Sequence, residues 1–348
     1  MFFEWQGQQP VTLRCIDKVT ETRDSVSIKL AALNPALLFR FKPGQFINLG
    51  VEIDGRSEFR AYSISSMNDE DYLQLTIKRV DGGKVSNFIL DSLLPGDTVQ
   101  ALPPAGDFNC IDRPPVQSHQ GAKTLLISAG CGITPVFAMA KYWLQSARSD
   151  VHITFLHVAR SAADTIYYHQ LETLHAIYPN FDLKLLLKNN AGTRHPQGRL
   201  NLDWLLELVP DVEQRTVYLC GPSQFMQDVQ GYLAAVNFDM ANFYQESFTP
   251  VIGQNSDLAD ESVNVFVPDF GHNIEARRGQ PLVEVLENAG LPIIAACRSG
   301  ICGSCKCKVE TGSVTSSSQQ TLTPQEIEQG YVLACSSLVE SDLQVQLG

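Results

Sequence analysis

Between residues 10 and about 107, hydrophobic and polar positions alternate in short runs: "VTLRCIDKVT", "VSIKLAAL", "QFINLGVEI", "YLQLTIKRV" and "DTVQALPP". They are broken by Gly, Pro, Asn and Asp. A period of two between turn residues predicts strands, and several in succession predict an antiparallel all-β barrel or sandwich. Pro-rich "PPAGDF" and "DRPPVQSHQGAK" then mark a boundary.

From about 123 to 247 the pattern changes. Continuous apolar runs ("KTLLISAG", "VHITFLHVA", "FDLKLLLK", "TVYLCG") predict strands buried on both faces. They alternate with the helical spacing of "TPVFAMAKYWLQSA", "TIYYHQLETLHAI" and "SQFMQDVQGYLAAV". That alternation predicts a doubly wound α/β domain with a parallel sheet. "TPVIGQNSDLADES" is polar, turn-rich and weakly periodic, as a linker is. Beyond it "VNVFVPD" and "HNIEARRG" read as a hairpin and "PLVEVLENAG" as an amphipathic helix. A cysteine-rich loop, a strand and "GYVLACSSL" complete the chain, with no internal repeat or low-complexity tract.

At 348 residues the chain is too long for one ordinary core, so two or three domains are expected. The 44% hydrophobic and 18% charged content is that of a globular protein. No apolar run approaches the roughly 18 to 20 residues that span a bilayer, so no membrane span is expected. The opening "MFFEWQGQQP" carries Glu4 and lacks a basic leader segment. A cytoplasmic location is therefore expected, where clustered thiols stay reduced. The net charge of −12 argues against a nucleic-acid partner. Residues 251–348 hold 5 basic and 12 acidic side chains and so supply −7 of it. An acidic terminal module suits either a basic protein partner or simple solubility.

"AACRSGICGSCKCKVE" places Cys297, Cys302 and Cys305 in a C-x4-C-x2-C run, with Cys335 far downstream in "LAC". This is the spacing of plant-type [2Fe–2S] ligation. A tight loop supplies three thiolates and a remote strand the fourth, and Gly300 and Gly303 let backbone N–H groups approach the sulfides. The rival is structural zinc, which commonly uses paired knuckles; here the fourth cysteine has no second beside it. Cys307 is surplus and reads as a small core residue, as do Cys15 and Cys110.

In "AGCGITP" after the strand "TLLIS", Gly130 and Gly132 permit a tight turn before a helix whose N-terminus can face a pyrophosphate. A plain strand-to-helix connection has the same signature. "LCGPSQF" places a second loop at the same sheet edge; Cys220 there is equally a buried small residue or a wall of a nicotinamide site. "RAYS" sets Arg60, Tyr62 and Ser63 on one strand, a cation for a phosphate and a ring for a flat heteroaromatic. "TIKRVDGGKVSNF" adds Lys78, a Gly-Gly turn and Ser86, an expected N-cap of a short helix from about Asn87. An exposed Arg and a core Tyr explain the same residues without a ligand.

"RAYS", "GCGITP", "CGP" and "CRSGICGSC…C" occur in the order of the ferredoxin–NAD(P)⁺ reductase-like flavoproteins that carry a C-terminal plant-type ferredoxin domain, and together the chain resembles them over nearly its whole length. The resemblance implies a flavin-binding β-barrel over 8–110, a nucleotide-binding α/β domain over 111–248, a linker over 249–261 and an α+β, β-grasp ferredoxin domain over 262–348. It implies an enzyme with FAD, NADH and a [2Fe–2S] cluster on Cys297, Cys302, Cys305 and Cys335. Arg60, Tyr62 and Ser63 would bind FAD, with Ser63 near the reactive nitrogen, and Lys78 would join them. Gly83, Lys84, Val85 and Ser86 would meet the flavin pyrophosphate. Gly130, Cys131, Gly132 and Thr134 would hold the nicotinamide nucleotide. Cys220, Gly221 and Pro222 would border the nicotinamide, with Glu246 and Phe248 closing the site. Ser63, Cys220 and Glu246 form the catalytic set.

FMN in place of FAD and NADPH in place of NADH stay open at this level, since "RAYS" and "VARSAADT" decide neither. Asp164 is not clearly placed for a ribose hydroxyl, and Arg160 is available to a 2′-phosphate. His157 and His169 read as core or surface residues. The acceptor implied is a redox protein. The phrases "ESFTPV", "IIAACRSGICGSCKCKVETG" and "LTPQEIEQGYVLACS" resemble bacterial reductases of hybrid-cluster protein, while oxygenase or desaturase reductases share the domain order. A zinc-clipped interaction module without catalysis is the remaining alternative.

Overall fold

The structure, a computed structural model, describes residues 1–348 apart from 8, 35–36, 120, 146–149, 249–260, 296, 299, 301 and 348. It divides into two units, Met1–Arg56 with Tyr62–Phe248 and Ser57–Ala61 with Thr249–Gly348. The linker expected over 249–261 lies, but for Glu261, outside the described residues.

The N-terminal barrel is built from β1 (Val11–Thr22), β2 (Ser25–Ala32), β3 (Phe46–Ile53), β4 (Arg56–Ser63), β5 (Tyr72–Lys78), helix α1 (Lys84–Asp91) and β6 (Thr98–Ala101). Sheet order is β4-β3-β6-β1-β2-β5, and a bridge between Ile64 and Leu75 joins the two ends. Alternation explains the core: Val11, Leu13 and Cys15 turn inward from β1 to meet Ile28, Leu30, Leu49 and Leu75. Helix α1 adds Val85 and Ile89 to this core. The Lys18 ammonium donates to the carbonyls of Leu90 and Leu93 at 2.9 and 2.8 Å, satisfying acceptors that the end of α1 leaves open. The strand β2 is buried on both faces, because its outward Ser25 and Ser27 find partners in Thr22 and Thr76, each at 2.6 Å.

The α/β part comprises β7 (Gln117–Ser118), β8 (Gly121–Ala129), α2 (Ile133–Gln145), β9 (Val151–Ala159), α3 (Tyr168–Ile177), β10 (Phe181–Leu187), α4 (Leu202–Leu208), β11 (Thr216–Gly221), α5 (Ser223–Ala235) and β12 (Phe243–Ser247). The parallel order is β10-β9-β8-β11-β12, with β7 antiparallel on β8. The order in which strands are added therefore reverses between β8 and β11, the switch point of a doubly wound sheet. One face packs under Ile133, Val136 and Leu171 of α2 and α3, the other under Leu205, Met226 and Val229 of α4 and α5. Such double cover is why the strands read as continuous apolar runs.

Two elements depart from the sequence pattern. Helix α3 starts at Tyr168 rather than Thr165, because Tyr167 takes a left-handed conformation (φ 62°) at its N-cap and a 3₁₀ turn occupies Ala162–Asp164. Helix α4 has no long periodic run to announce it; Asn201 nucleates it by accepting a hydrogen bond from the Trp204 N–H at 2.8 Å.

The second unit contains β13 (Ser262–Val267), β14 (His272–Arg277), α6 (Leu282–Asn288), β15 (Lys306–Thr311), β16 (Val314–Ser316), α7 (Pro324–Glu328), β17 (Tyr331–Leu333), β18 (Ser337–Val339) and β19 (Leu343–Leu347). Its main sheet runs β14-β13-β19-β15-β17, with β13 and β19 parallel and the rest antiparallel. The expected hairpin is β13–β14. Leu282, Val283, Val285 and Leu286 of α6 close the core, in which Cys307 is fully buried. That mixed sheet crossed by one helix is the β-grasp arrangement expected of a ferredoxin domain.

Candidate functional site

The two loops singled out in the sequence meet at the switch point. The 3₁₀ turn Gly130–Gly132 follows β8, and Pro222, the N-cap of α5, follows Gly221 at the end of β11. Gly130 has φ +55° and open space beside its Cα. At Gly132 an added Cβ would lie 2.1 Å from the Cys220 carbonyl oxygen, so only glycine lets the turn seat against β11. The Thr134 hydroxyl donates to the Cys131 carbonyl at 3.0 Å and steadies the turn. Helix α2 carries no acidic residue in its first turn, which leaves its N-terminal dipole available to an anion.

Register places Cys220 between Ser128 of β8 and Glu246 of β12, and Ser128 beside His157 of β9. This transverse row is buried throughout. His157 shares a 2.8 Å hydrogen bond with the Ser128 hydroxyl, and burial pulls its pKa down to about 3, so the ring is neutral. Burial, and then Glu246, push the Cys220 thiol well above its ordinary value. Cys131 is pushed up to about 12, chiefly by desolvation. The thiols here are neutral and are not nucleophiles. Phe248, just past β12, is exposed.

On the barrel side Tyr62 and Ser63 end β4. Ser63 is 3% exposed and its hydroxyl has no hydrogen-bond partner among the described residues. A buried orphan hydroxyl costs free energy unless a ligand satisfies it. Lys78, at the end of β5, pairs with Asp24 at 3.3 Å. Ser86 does not cap α1, as had been expected. The turn closes earlier, with Gly82 at φ +67° and extended Gly83 as N-cap, so the helix starts at Lys84. The Ser86 hydroxyl instead accepts from the Val80 N–H at 3.3 Å. No side chain caps the helix and none in its first turn is acidic, the condition in which N–H groups await phosphate oxygens. The orphan hydroxyl and the uncapped glycine turn together fit a flavin nucleotide. Arg60 donates to the Phe59 carbonyl at 2.6 Å and lies 3.6 Å from Glu58.

Asp164 accepts from the Ser161 hydroxyl at 2.7 Å and pairs with Arg23 at 3.3 Å. Sequence reasoning missed Tyr167. Its buried ring stacks on Phe137 at 4.4 Å, and its hydroxyl bonds the barrel residues Thr76 and Ser65. Those partners are 91 and 102 residues away, so no local pattern announces them.

In the second unit the four cysteine thiols form one cluster, Cys297 meeting Cys302 and Cys335, and Cys335 meeting Cys305. Contact with Cys297 raises the pKa of Cys302, contacts with Cys297 and then Cys305 raise that of Cys335, and Cys305, bonded to Cys335, is lowered. The Cys335 N–H also points at the Cys305 sulfur, 3.4 Å away. Four clustered thiols in this spacing suit a [2Fe–2S] cluster. Gly300 (φ +71°) and Gly303 (φ +74°) pack against Ser318 and Thr321, where a Cβ would lie 2.6 and 3.0 Å from its neighbour. The Arg298 guanidinium holds Glu287 through both carboxylate oxygens at 2.6 and 2.7 Å, fixing the loop to α6.

A barrel with a flavin cradle, a switch-point nucleotide site and a loop of clustered thiols define a pyridine-nucleotide-dependent flavin and iron–sulfur reductase. The oxidoreductase FAD-binding domain matches residues 12–110, the oxidoreductase NAD-binding domain residues 126–231, and the 2Fe-2S iron-sulfur cluster binding domain residues 265–340. The chain belongs to the family of NADH-dependent electron-transfer reductases that unite these three domains. It is 34% identical to the glycine betaine monooxygenase reductase subunit of Pseudomonas aeruginosa, over 96% of this chain and 94% of that one. It is 33% identical to NADH oxidoreductase HCR of Escherichia coli, over 88% of each chain. Phthalate dioxygenase reductase has the same fold, with a TM-score of 0.64 at 22% identity and 97% coverage of both chains. FAD, NADH and a [2Fe–2S] cluster are accordingly its cofactors and a redox protein its acceptor. No helix is long and apolar enough to cross a membrane among the described residues.

Proposed function

We propose that the chain passes electrons from NADH through FAD and the [2Fe–2S] cluster to hybrid-cluster protein. The observation that carries this acceptor is the 33% identity to NADH oxidoreductase HCR, together with the likeness of the cysteine loop and "LTPQEIEQGYVLACS". A second reading, the reductase subunit of an oxygenase, is favoured by the 34% identity to the glycine betaine monooxygenase reductase subunit.

When bound, the flavin supplies the conversion of a two-electron donor into a one-electron source. The chain's residues bind, orient and shield. The α1 N-terminus at Gly83–Ser86 would hold the flavin pyrophosphate, with Arg60 and Lys78 as countercharges and Tyr62 packed on the ring. The Ser63 hydroxyl would bond the ring's reactive edge. Gly130, Cys131, Gly132 and Thr134 would seat the nicotinamide nucleotide, and Cys220, Gly221 and Pro222, with Glu246 and Phe248, would border its ring. Burial of Ser63, Cys220 and Glu246 keeps water from that edge. Cys297, Cys302, Cys305 and Cys335 would hold the [2Fe–2S] cluster. Domain limits of 8–110, 111–248 and 262–348 follow from this assignment.

The test is anaerobic NADH oxidation with purified hybrid-cluster protein and hydroxylamine as terminal acceptor. Turnover that needs both proteins and disappears in Cys302→Ser supports the proposal. NADH–ferricyanide turnover with hybrid-cluster protein left oxidised moves the oxygenase reading into its place.

A further inference from the structure

Each NADH that reduces two one-electron centres leaves one proton behind, so the buried site must export a proton per turnover. Behind Ser63 the structure holds an unbroken line of hydroxyls. The Tyr167 hydroxyl bonds Ser65 at 2.9 Å and also bonds Thr76. Thr76 bonds Ser27 at 2.6 Å, and Ser27 donates to the Glu21 carboxylate at 2.6 Å. Ser65, Tyr167, Thr76 and Ser27 are all buried. Glu21 lines a cavity of about 500 Å³ between β1 and the start of α3. Ser63 and Ser65 stand two residues apart on extended backbone, about 7 Å along the chain.

Ser27 donates to Glu21, while the Tyr167 hydroxyl donates to Ser65 and Ser65 to the Gln74 carbonyl, 3.2 Å away. Between them Thr76 bonds Ser27 and Tyr167, and either atom of each of these bonds can donate. With Glu21 protonated, the order Glu21, Ser27, Thr76, Tyr167, Ser65 satisfies every bond with one proton per hydroxyl; passing a proton the other way needs the Ser65 and Tyr167 hydroxyls to turn.

We propose that these hydroxyls are a proton relay from the Ser63–Ser65 edge of the flavin site to Glu21 and the cavity. A proton arriving at Ser65 forms one O–H bond there as the existing Ser65 O–H breaks toward Tyr167. The same exchange repeats at Tyr167, Thr76 and Ser27, and the last proton forms the Glu21 carboxylic acid, which releases it to water in the cavity. One proton enters and one leaves, with no change in oxidation state. The inference rests on the placement of Ser63 beside the flavin and not on the identity of the protein acceptor.

Tyr168 and His169 are the other titratable groups lining the cavity, and Arg23, beyond Glu21, is held by Asp164. The test is therefore differential. Holoenzyme with NADH and ferricyanide is followed by stopped flow, reading flavin absorbance and a pH-indicator dye in weak buffer. In wild type and in Tyr168→Phe, proton release keeps pace with flavin reoxidation. In Tyr167→Phe and Glu21→Gln it lags several-fold and acquires a larger solvent isotope effect, while flavin and cluster content stay unchanged. Thr76→Val breaks the line at a second point should Tyr167→Phe fold poorly. Infrared difference spectra of the holoenzyme without NADH give an independent reading. The tyrosine C–O mode shifts as Glu21 gains its proton, and the signal vanishes in Tyr167→Phe and Glu21→Gln. Unchanged proton release in those two variants, or no such signal in wild type, overturns the relay. Loss of NADH–ferricyanide turnover in wild type would instead count against the reductase assignment.

Discussion

Replacing Gly132 by alanine tests how tightly the nucleotide turn is bound to the sheet. The added Cβ would meet the Cys220 carbonyl oxygen at 2.1 Å, its carbon at 2.3 Å and the Gly221 nitrogen at 2.6 Å, where ordinary contact begins at 3.4 Å. All three atoms are backbone, and β11 is fixed on both sides by β8 and β12. No side chain can swing away, so turn and strand must part by about 1 Å. Overpacking of this kind costs about 1–3 kcal/mol, and the upper end is expected because the strand is central. At this size each kcal/mol lowers Tm by about 2–4 °C. The larger effect is kinetic: a misplacement of about 1 Å at reacting groups costs about 10²-fold. Gly132→Ala should therefore lose about that factor in kcat/KM for NADH while retaining FAD and cluster. Gly130→Ala is the control. It has open space and only the left-handed penalty of about 1–2 kcal/mol, so its kinetic loss should be smaller. An unchanged Tm and a kcat/KM for NADH within experimental error of wild type in Gly132→Ala would refute the reasoning.

Ser63→Ala removes a buried hydroxyl without a partner; flavin-free protein should be as stable or up to about 1 kcal/mol more so in urea melts, while flavin reduction by NADH slows. Cys302→Ser should abolish the [2Fe–2S] EPR signal and acceptor reduction but spare NADH–ferricyanide turnover, which reads the flavin alone. His157 carries a folded pKa of about 3 against 6.5 for the free side chain. Its contribution to stability is complete above about pH 6.5 and declines as pH falls toward about 3, at about 1.4 kcal/mol per unit. Urea melts of His157→Gln across that window should show a shallower acid limb than wild type; identical limbs would count against a buried neutral ring.

The strands of both sheets and the cysteine spacing were legible because each is a local pattern. β1 alternates because one face meets the barrel core, and β8 is uniformly apolar because helices cover both of its faces. The glycines of "GCGITP" were legible as a turn. Their necessity was not, since the Cys220 carbonyl against Gly132 lies 88 residues away. Ser86 was misread because its hydroxyl resembles a cap, whereas Gly82 and Gly83 complete the turn three residues earlier. Tyr167 was invisible for the opposite reason: its conformation is set by Thr76 and Ser65, which only the packing of barrel against α/β sheet brings near. Asp164 could not be placed from sequence because its partner, Arg23, belongs to the barrel.

The chemistry divides along the same line between backbone and side chain. At the proposed nucleotide and flavin positions the groups on offer are N–H donors of glycine turns and helix ends, beside hydroxyls and thiols held neutral by burial. Such groups hold anions and exclude water without offering an acid, base or nucleophile to divert the reaction. In the second unit the decisive groups are four clustered thiols, with Cys335 delivered by the turn after β17. Cys297, Cys302, Cys305 and Cys335 would hold the group that carries electrons away, and the hydroxyls behind Ser63 would carry the proton. On this reading one fold gives the two products of NADH oxidation separate exits.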